Sequence, residues 1–225
     1  DLDKDKFILS KGWAAASLYY FLWRKGRITE EELNSYCGKC SRCKGSGFCV
    51  KCGFAGQSKF IGLTEPIHPD IPFAGGSMGL SLPAAVGFVL AKKLKGEEGK
   101  IYVLMSDGEL NCGTTWESIQ IATHHNLDNL IIIVDENGFQ AMGKTQEILQ
   151  SHFPMMGNSF KEIDGHNYDE IEFGLIPYEF AKYPHIMIAK TVKGKGVSKF
   201  EGNNLYHYKA PSEEEYQLAM KELNG

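Results

Sequence analysis

An α/β fold with a doubly wound, mostly parallel sheet is predicted by three features of this 225-residue sequence. Two strand-length apolar runs, Ile101 to Met105 and Leu130 to Val134, flank a stretch with helical spacing. Such alternation is the pattern of strand–helix–strand units. Each run ends in polar and glycine residues, Ser106-Asp107-Gly108 and Asp135-Glu136-Asn137-Gly138, where sheets of this kind place ligands. Finally, Gly75-Gly76-Ser77-Met78-Gly79 precedes a long apolar and small-residue stretch, a turn feeding a helix N-terminus.

The elements follow in order. Residues 7–25 recur at helical spacing and predict a first helix that ends at Gly26. Thr29 followed by Glu32 predicts a capping box at the start of a second. Residues 37–66 are rich in Cys, Gly, Lys and Ser without a period, and predict a loop or metal-pinned knuckle inserted in one domain spanning 1–225. A helix is expected from the glycine turn to about residue 94, a strand over 101–105 and a helix over 115–125. Strands over 130–134 and near 185–189 follow, then a charged helix over 212–223. The apolar runs predict strands buried on both faces.

Composition narrows the function. Hydrophobic residues make up 43% and charged residues 23%, enough for a core. A net charge of −4 gives no electrostatic case for nucleic acid. No apolar run approaches the ~20 residues of a membrane span, and the opening Asp1-Leu2-Asp3-Lys4 lacks the apolar core of a signal peptide. A cytoplasmic location is the expectation. Five of six cysteines fall within 37–52, a metal-site pattern of a reducing compartment. Cys40-x-x-Cys43 and Cys49-x-x-Cys52 supply four thiolates, enough for tetrahedral Zn²⁺. An iron–sulfur cluster and free thiols are the alternatives.

Asp107 and Asn137 offer hard oxygen ligands at two strand ends, as Mg²⁺ requires when it shares a phosphate. Gly108 lets the backbone approach that phosphate, and the turn at Gly76 to Gly79 adds helix N–H groups. Taken singly, residues such as Asp107 and Asn137 more often cap turns, and such glycines more often serve tight loops. Taken together they predict a Mg²⁺–diphosphate site.

Ser106-Asp107-Gly108 with Asn137 thirty residues beyond Asp107 resembles the thiamine diphosphate signature. Phe7-Ile8-Leu9-Ser10-Lys11-Gly12, Gly76-Ser77-Met78-Gly79 and Lys190-Thr191-Val192-Lys193-Gly194-Lys195-Gly196, followed by Tyr206-His207, resemble segments of the transketolase family. The resemblance implies Mg²⁺ on the Asp107 and Asn137 side chains and the Phe139 carbonyl. It implies cofactor contacts at Gly76, Met78, Gly108, Glu109 and Lys193, and a cofactor- and substrate-facing His207 that handles protons. Glu117 matches a position near the subunit interface. The implied reaction moves a two-carbon ketol unit from a ketose to an aldose. An enzyme of 2-oxo acids, a deoxyxylulose phosphate synthase-like enzyme, or a non-catalytic zinc-bearing scaffold are the alternatives.

The family activates its cofactor with a glutamate from a pyrimidine-binding domain, for which these residues have no counterpart. A separately encoded subunit is therefore expected, in an assembly of two copies of each chain. Trp13 stands where the family has histidine, and Cys112 where it has an interface glutamate. His68-Pro69 resembles a family His-Pro near the donor site, at shorter spacing.

Overall fold

The computed structural model describes residues 3–38, 58, 60–141, 143–145 and 159–225. Cys40, Cys43, Cys49 and Cys52, with most of the expected insertion, lie outside the described residues. The chain divides into two compact units, Asp1–Leu104 and Met105–Gly225.

In the first unit the expected helix over 7–25 is two elements. β1 (Lys6–Leu9) is a strand, paired in parallel with the start of β2 (Ile101–Ser106) from Lys6↔Ile101 to Leu9↔Leu104. Only after a short 3-10 turn at Gly12–Ala14 does α1 (Ala15–Arg24) begin. The break falls at Gly12, where a Cβ would lie 2.5 Å from the Gly76 Cα. α2 (Glu30–Asn34) starts with the expected capping box, Thr29 and Glu32 exchanging side-chain and backbone hydrogen bonds. α3 (Ser81–Lys95) ends on Gly96 at φ +67°, with Lys92, Lys93 and Lys95 placed against its negative C-terminal dipole. A core of Ala15, Tyr19, Leu22, Ile28, Phe60 and Ile71 fixes α1.

The second unit carries the polar strand ends. α4 (Gly113–His124) leads to β3 (Leu130–Glu136), and a short ribbon follows, β4 (Phe139–Gln140) antiparallel to β5 (Gly143–Lys144). β6 (Ser159–Asp164), α5 (Tyr168–Gly174), β7 (His185–Lys190) and α6 (Glu213–Asn224) complete it. β7 pairs in parallel with both β3 and β6. The sheet has five strands, mostly parallel, in the order β1-β2-β3-β7-β6. β7 is buried along five of its six residues and β3 along four of its seven, whereas β2 alternates buried with half-buried positions. β2 therefore departs from the expectation of burial on both faces.

No helix among the described residues is long and apolar enough to cross a membrane.

Candidate functional site

The glycine turn of the first unit is built from below. Tyr19, fully buried, donates its hydroxyl to the carbonyls of Ile61 and Leu63, at 3.3 and 3.2 Å. Burial pushes its phenol up to about 12, so it stays a donor. Thr64 accepts the Gly75 N–H on its carbonyl (3.0 Å) and its hydroxyl (2.8 Å). Gly76 donates to the Ser10 carbonyl at 3.1 Å and takes φ +100°, a conformation that favours glycine. The turn thus holds Gly76 against the end of β1. Met78, two residues on, is 55% exposed.

The second unit joins the two polar strand ends. Asp107, 2% exposed, opens a 3-10 turn at Asp107–Asn111 immediately after β2. Its Oδ1 accepts from the Gly108 N–H (2.9 Å). Its Oδ2 accepts from the Gly138 N–H (2.8 Å) and the Thr145 hydroxyl (3.0 Å). Gly138, at φ +77°, turns its N–H toward the carboxylate. The Asn137 Oδ1 accepts the Phe139 N–H at 3.0 Å, and Phe139 opens the β4–β5 ribbon.

This cluster fits a divalent cation. Two carboxylate oxygens offer about four lone-pair positions, and three are used. The Asn137 oxygen likewise keeps one. None of the described lysines, arginines or histidines forms an ion pair with Asp107. Burial, with Asp135 adding like charge, pushes its carboxyl above the ordinary aspartate range. A buried carboxylate with neutral donors and a spare lone pair is one that a cation stabilises.

Gln140, Thr145 and Thr191, which no motif marks, complete the frame. Gln140 accepts from the Asn111 Nδ2 on its Oε1 (3.0 Å) and from the Asn204 Nδ2 on its carbonyl (3.2 Å). A Cβ on Gly108 would come within 3.1 Å of the Gln140 Cβ. Thr145 bonds Asp107, and Thr191 donates to Asp135. The Asn137-Gly138 and Gly143 turn residues were the available signal for a ribbon here. Glu109, 1% exposed, accepts the Ser106 N–H at 3.1 Å in a capping box that braces the Asp107 turn. Lys193 follows β7 and accepts the Gly202 N–H on its carbonyl at 2.9 Å. His207 ends a 3-10 turn at Asn204–His207, its ring 4.7 Å from that of Tyr208. Among the described residues no group of three or more His, Cys, Asp or Glu has a metal-binding arrangement.

Residues 58–225 match the family model described as "Transketolase, thiamine diphosphate binding domain". The chain belongs to the transketolase family. It is 34% identical to an apulose-4-phosphate transketolase subunit of Actinobacillus succinogenes, over 98% of this chain and 76% of that one. It is 31% identical to the protein of the same name from Phocaeicola vulgatus, over 98% and 75%. The structure of transketolase from Campylobacter jejuni superimposes with a TM-score of 0.78 at 29% identity, over 99% of this chain and 34% of that chain. The chain thus spans about three-quarters of the subunit relatives and about a third of the transketolase of known structure.

Three further positions singled out in the sequence have defined surroundings. Trp13, in the turn before α1, is 65% exposed. Cys112 is the N-cap of α4, with a thiol pushed up by burial. Glu117 is exposed on α4, and its side chain makes no hydrogen bond or ion pair among the described residues. His68 is engaged locally, its Nδ1 accepting the Asp70 N–H at 3.2 Å and its Nε2 meeting the Arg27 carbonyl at 3.1 Å.

Proposed function

We propose that this chain is the cofactor-binding subunit of a two-subunit, thiamine diphosphate-dependent transketolase-like enzyme. In this reading it moves a two-carbon ketol unit from a ketose to an aldose. The observation that carries the proposal is the buried Asp107 carboxylate with a spare lone pair beside Asn137. The family match over 58–225 and the subunit names of the relatives support it.

The Asp107 and Asn137 side chains and the Phe139 carbonyl would hold Mg²⁺, and Gly76, Met78, Gly108, Glu109 and Lys193 would line the diphosphate region. When bound, thiamine diphosphate supplies an acidic thiazolium carbon that accepts and releases the two-carbon unit. His207 would hold or pass a proton at the sugar hydroxyls, and Glu117 would face a neighbouring subunit. The pyrimidine-binding domain would come from the second polypeptide, in a two-plus-two assembly. Cys40, Cys43, Cys49 and Cys52 would hold a structural Zn²⁺, and thiolate ligands in a reducing compartment are the basis for a cytoplasmic location.

The test is reconstitution with a candidate pyrimidine-binding subunit, followed by two-carbon transfer assays with phosphorylated ketose donors. Cofactor-dependent and Mg²⁺-dependent transfer is expected. A reconstituted pair that binds neither cofactor nor donor would overturn the reading. Elemental analysis of reduced protein should return one zinc per chain, and none would remove the zinc site alone.

A further inference from the structure

The C-terminal helix α6 touches the two loops that carry Lys193 and His207, two of the proposed cofactor-facing residues of the second unit. Two of its carboxylates, Glu215 and the exposed Glu222, reach these loops. The Glu222 Oε2 accepts the Ser198 N–H at 2.6 Å, and its Oε1 meets the Ser198 hydroxyl at 2.8 Å. Ser198 lies in the loop closed by the Gly202 N–H on the Lys193 carbonyl. The same loop presses on the helix at Gly196, where a Cβ would lie 3.1 Å from the Leu223 Cδ2.

Glu215 gathers the other loop. Its Oε1 accepts from the Tyr206 hydroxyl (3.0 Å), from Lys209 (3.1 Å) and from Lys199 (3.0 Å). Tyr206 immediately precedes His207, and its ring lies 4.3 Å from that of Phe200 in the Lys193 loop. Lys199 comes from that loop too, so a single carboxylate ties both segments. The far end of the His207 turn is tied by Asn204 to the Gln140 carbonyl, beside Gly108.

The simpler reading is that Glu215 only caps α6. It does take part in a capping box, its Oε2 accepting the Ser212 N–H at 2.8 Å while its own N–H donates to the Ser212 hydroxyl. That duty falls on Oε2. The Oε1 atom is directed at Tyr206, Lys199 and Lys209, none of which a helix cap needs.

We propose that α6 is a clasp, in which Glu215 and Glu222 are positioning residues that hold the His207 turn and the Lys193 loop in register for the cofactor diphosphate. The inference rests on the thiamine diphosphate reading above. It concerns residues that act through others, so its readouts are loop order and cofactor affinity rather than turnover alone.

Glu215→Gln separates the roles, because the amide oxygen still caps α6 while the charge that draws Lys199 and Lys209 is lost. Glu222→Ala removes the grip on Ser198 at a helix position where alanine is favoured. Both are made in the assembled enzyme, alone and together. Hydrogen exchange by mass spectrometry over residues 194–209 and titration with thiamine diphosphate and Mg²⁺ are the measurements. Expected are faster exchange in that stretch, unchanged helix content, and a cofactor Kd raised by roughly tenfold in the double variant, with kcat recovered at saturating cofactor. Unchanged exchange, or faster exchange with unchanged cofactor affinity, would overturn the clasp and leave the cofactor reading standing. Absence of cofactor binding by the wild-type assembly would overturn both.

Discussion

The Asp107 Oδ2 accepts the Gly138 backbone N–H at 2.8 Å. This one bond joins the end of β2 to the end of β3 and sets the Asp107 carboxylate beside Asn137. The first prediction follows from it. Asp107→Asn puts an amide NH₂ against either the Gly108 donor or the Gly138 and Thr145 donors, and removes the anion that a cation needs. Calorimetric titration should show Mg²⁺-dependent cofactor affinity reduced at least about tenfold to a hundredfold, with the fold retained. Wild-type affinity in this variant would show that the metal lies elsewhere.

Gly108 leaves almost no room for a side chain. A methyl there meets the Gln140 Cβ at 3.1 Å, so the β4–β5 ribbon must give by a few tenths of an ångström. Gly108→Ala should destabilise the chain by about 1–3 kcal/mol in denaturant titration, and weaken cofactor binding as the ribbon shifts. A Gln140→Ala companion, which keeps the Cβ, should restore neither, whereas Gln140→Gly should recover part of the loss.

Gly76 tests the other turn. At φ +100°, Gly76→Ala carries backbone strain of about 1–3 kcal/mol. The new Cβ also meets Leu63 at Cδ2 (2.9 Å), Cδ1 (3.0 Å) and Cγ (3.3 Å). A Leu63→Ala background removes those contacts, so the share of the loss that persists there is the backbone's. Complete relief by Leu63→Ala would mean that sterics, not the backbone, dominate.

The Glu215 carboxyl gives a pH prediction. The Ser212 N–H, Lys199, Lys209 and Tyr206 hold it down from 4.5 to about 2. A depressed carboxyl contributes its stability in full above the unfolded value near 4.5, and loses it as pH falls through the folded value near 2. The clasp should hold unchanged at neutral pH and release only in that acid window. Carboxyl-carbon NMR of Glu215 should titrate near 2, and a midpoint near 4.5 would mean that the four donors do not engage it.

Much of the fold is legible in sequence because its signals are local. The β3 and β7 runs are apolar almost throughout, and both are buried. The capping box at Thr29 and Glu32 forms as its spacing predicts, and the charged helix expected over 212–223 begins on another, Ser212 with Glu215. Asp107 and Asn137 are readable as a pair because parallel strand ends lie side by side. What escapes depends on distant partners. Phe7-Ile8-Leu9 continues the apolar spacing of α1, and the chain breaks at Gly12 because the Gly76 backbone occupies the space beside it. β6 reads as polar, since Lys161 points inward. That lysine is buried only because its Nζ donates to the carbonyls of Phe173 and Ile176, at 2.8 and 2.6 Å, and lies 3.9 Å from the Phe173 ring centroid. No local pattern announces such a partner. Gln140 and Glu215 escape for the same reason, since their partners lie on other segments of the second unit.

Native mass spectrometry of the protein isolated from its own source in Mg²⁺ buffer decides whether the chain is a cofactor-binding subunit. Expected is a complex of this chain with a second polypeptide, retaining one thiamine diphosphate and Mg²⁺ for each pair. A chain that carries no thiamine diphosphate, and takes none up when the cofactor, Mg²⁺ and partner are supplied, would contradict that role.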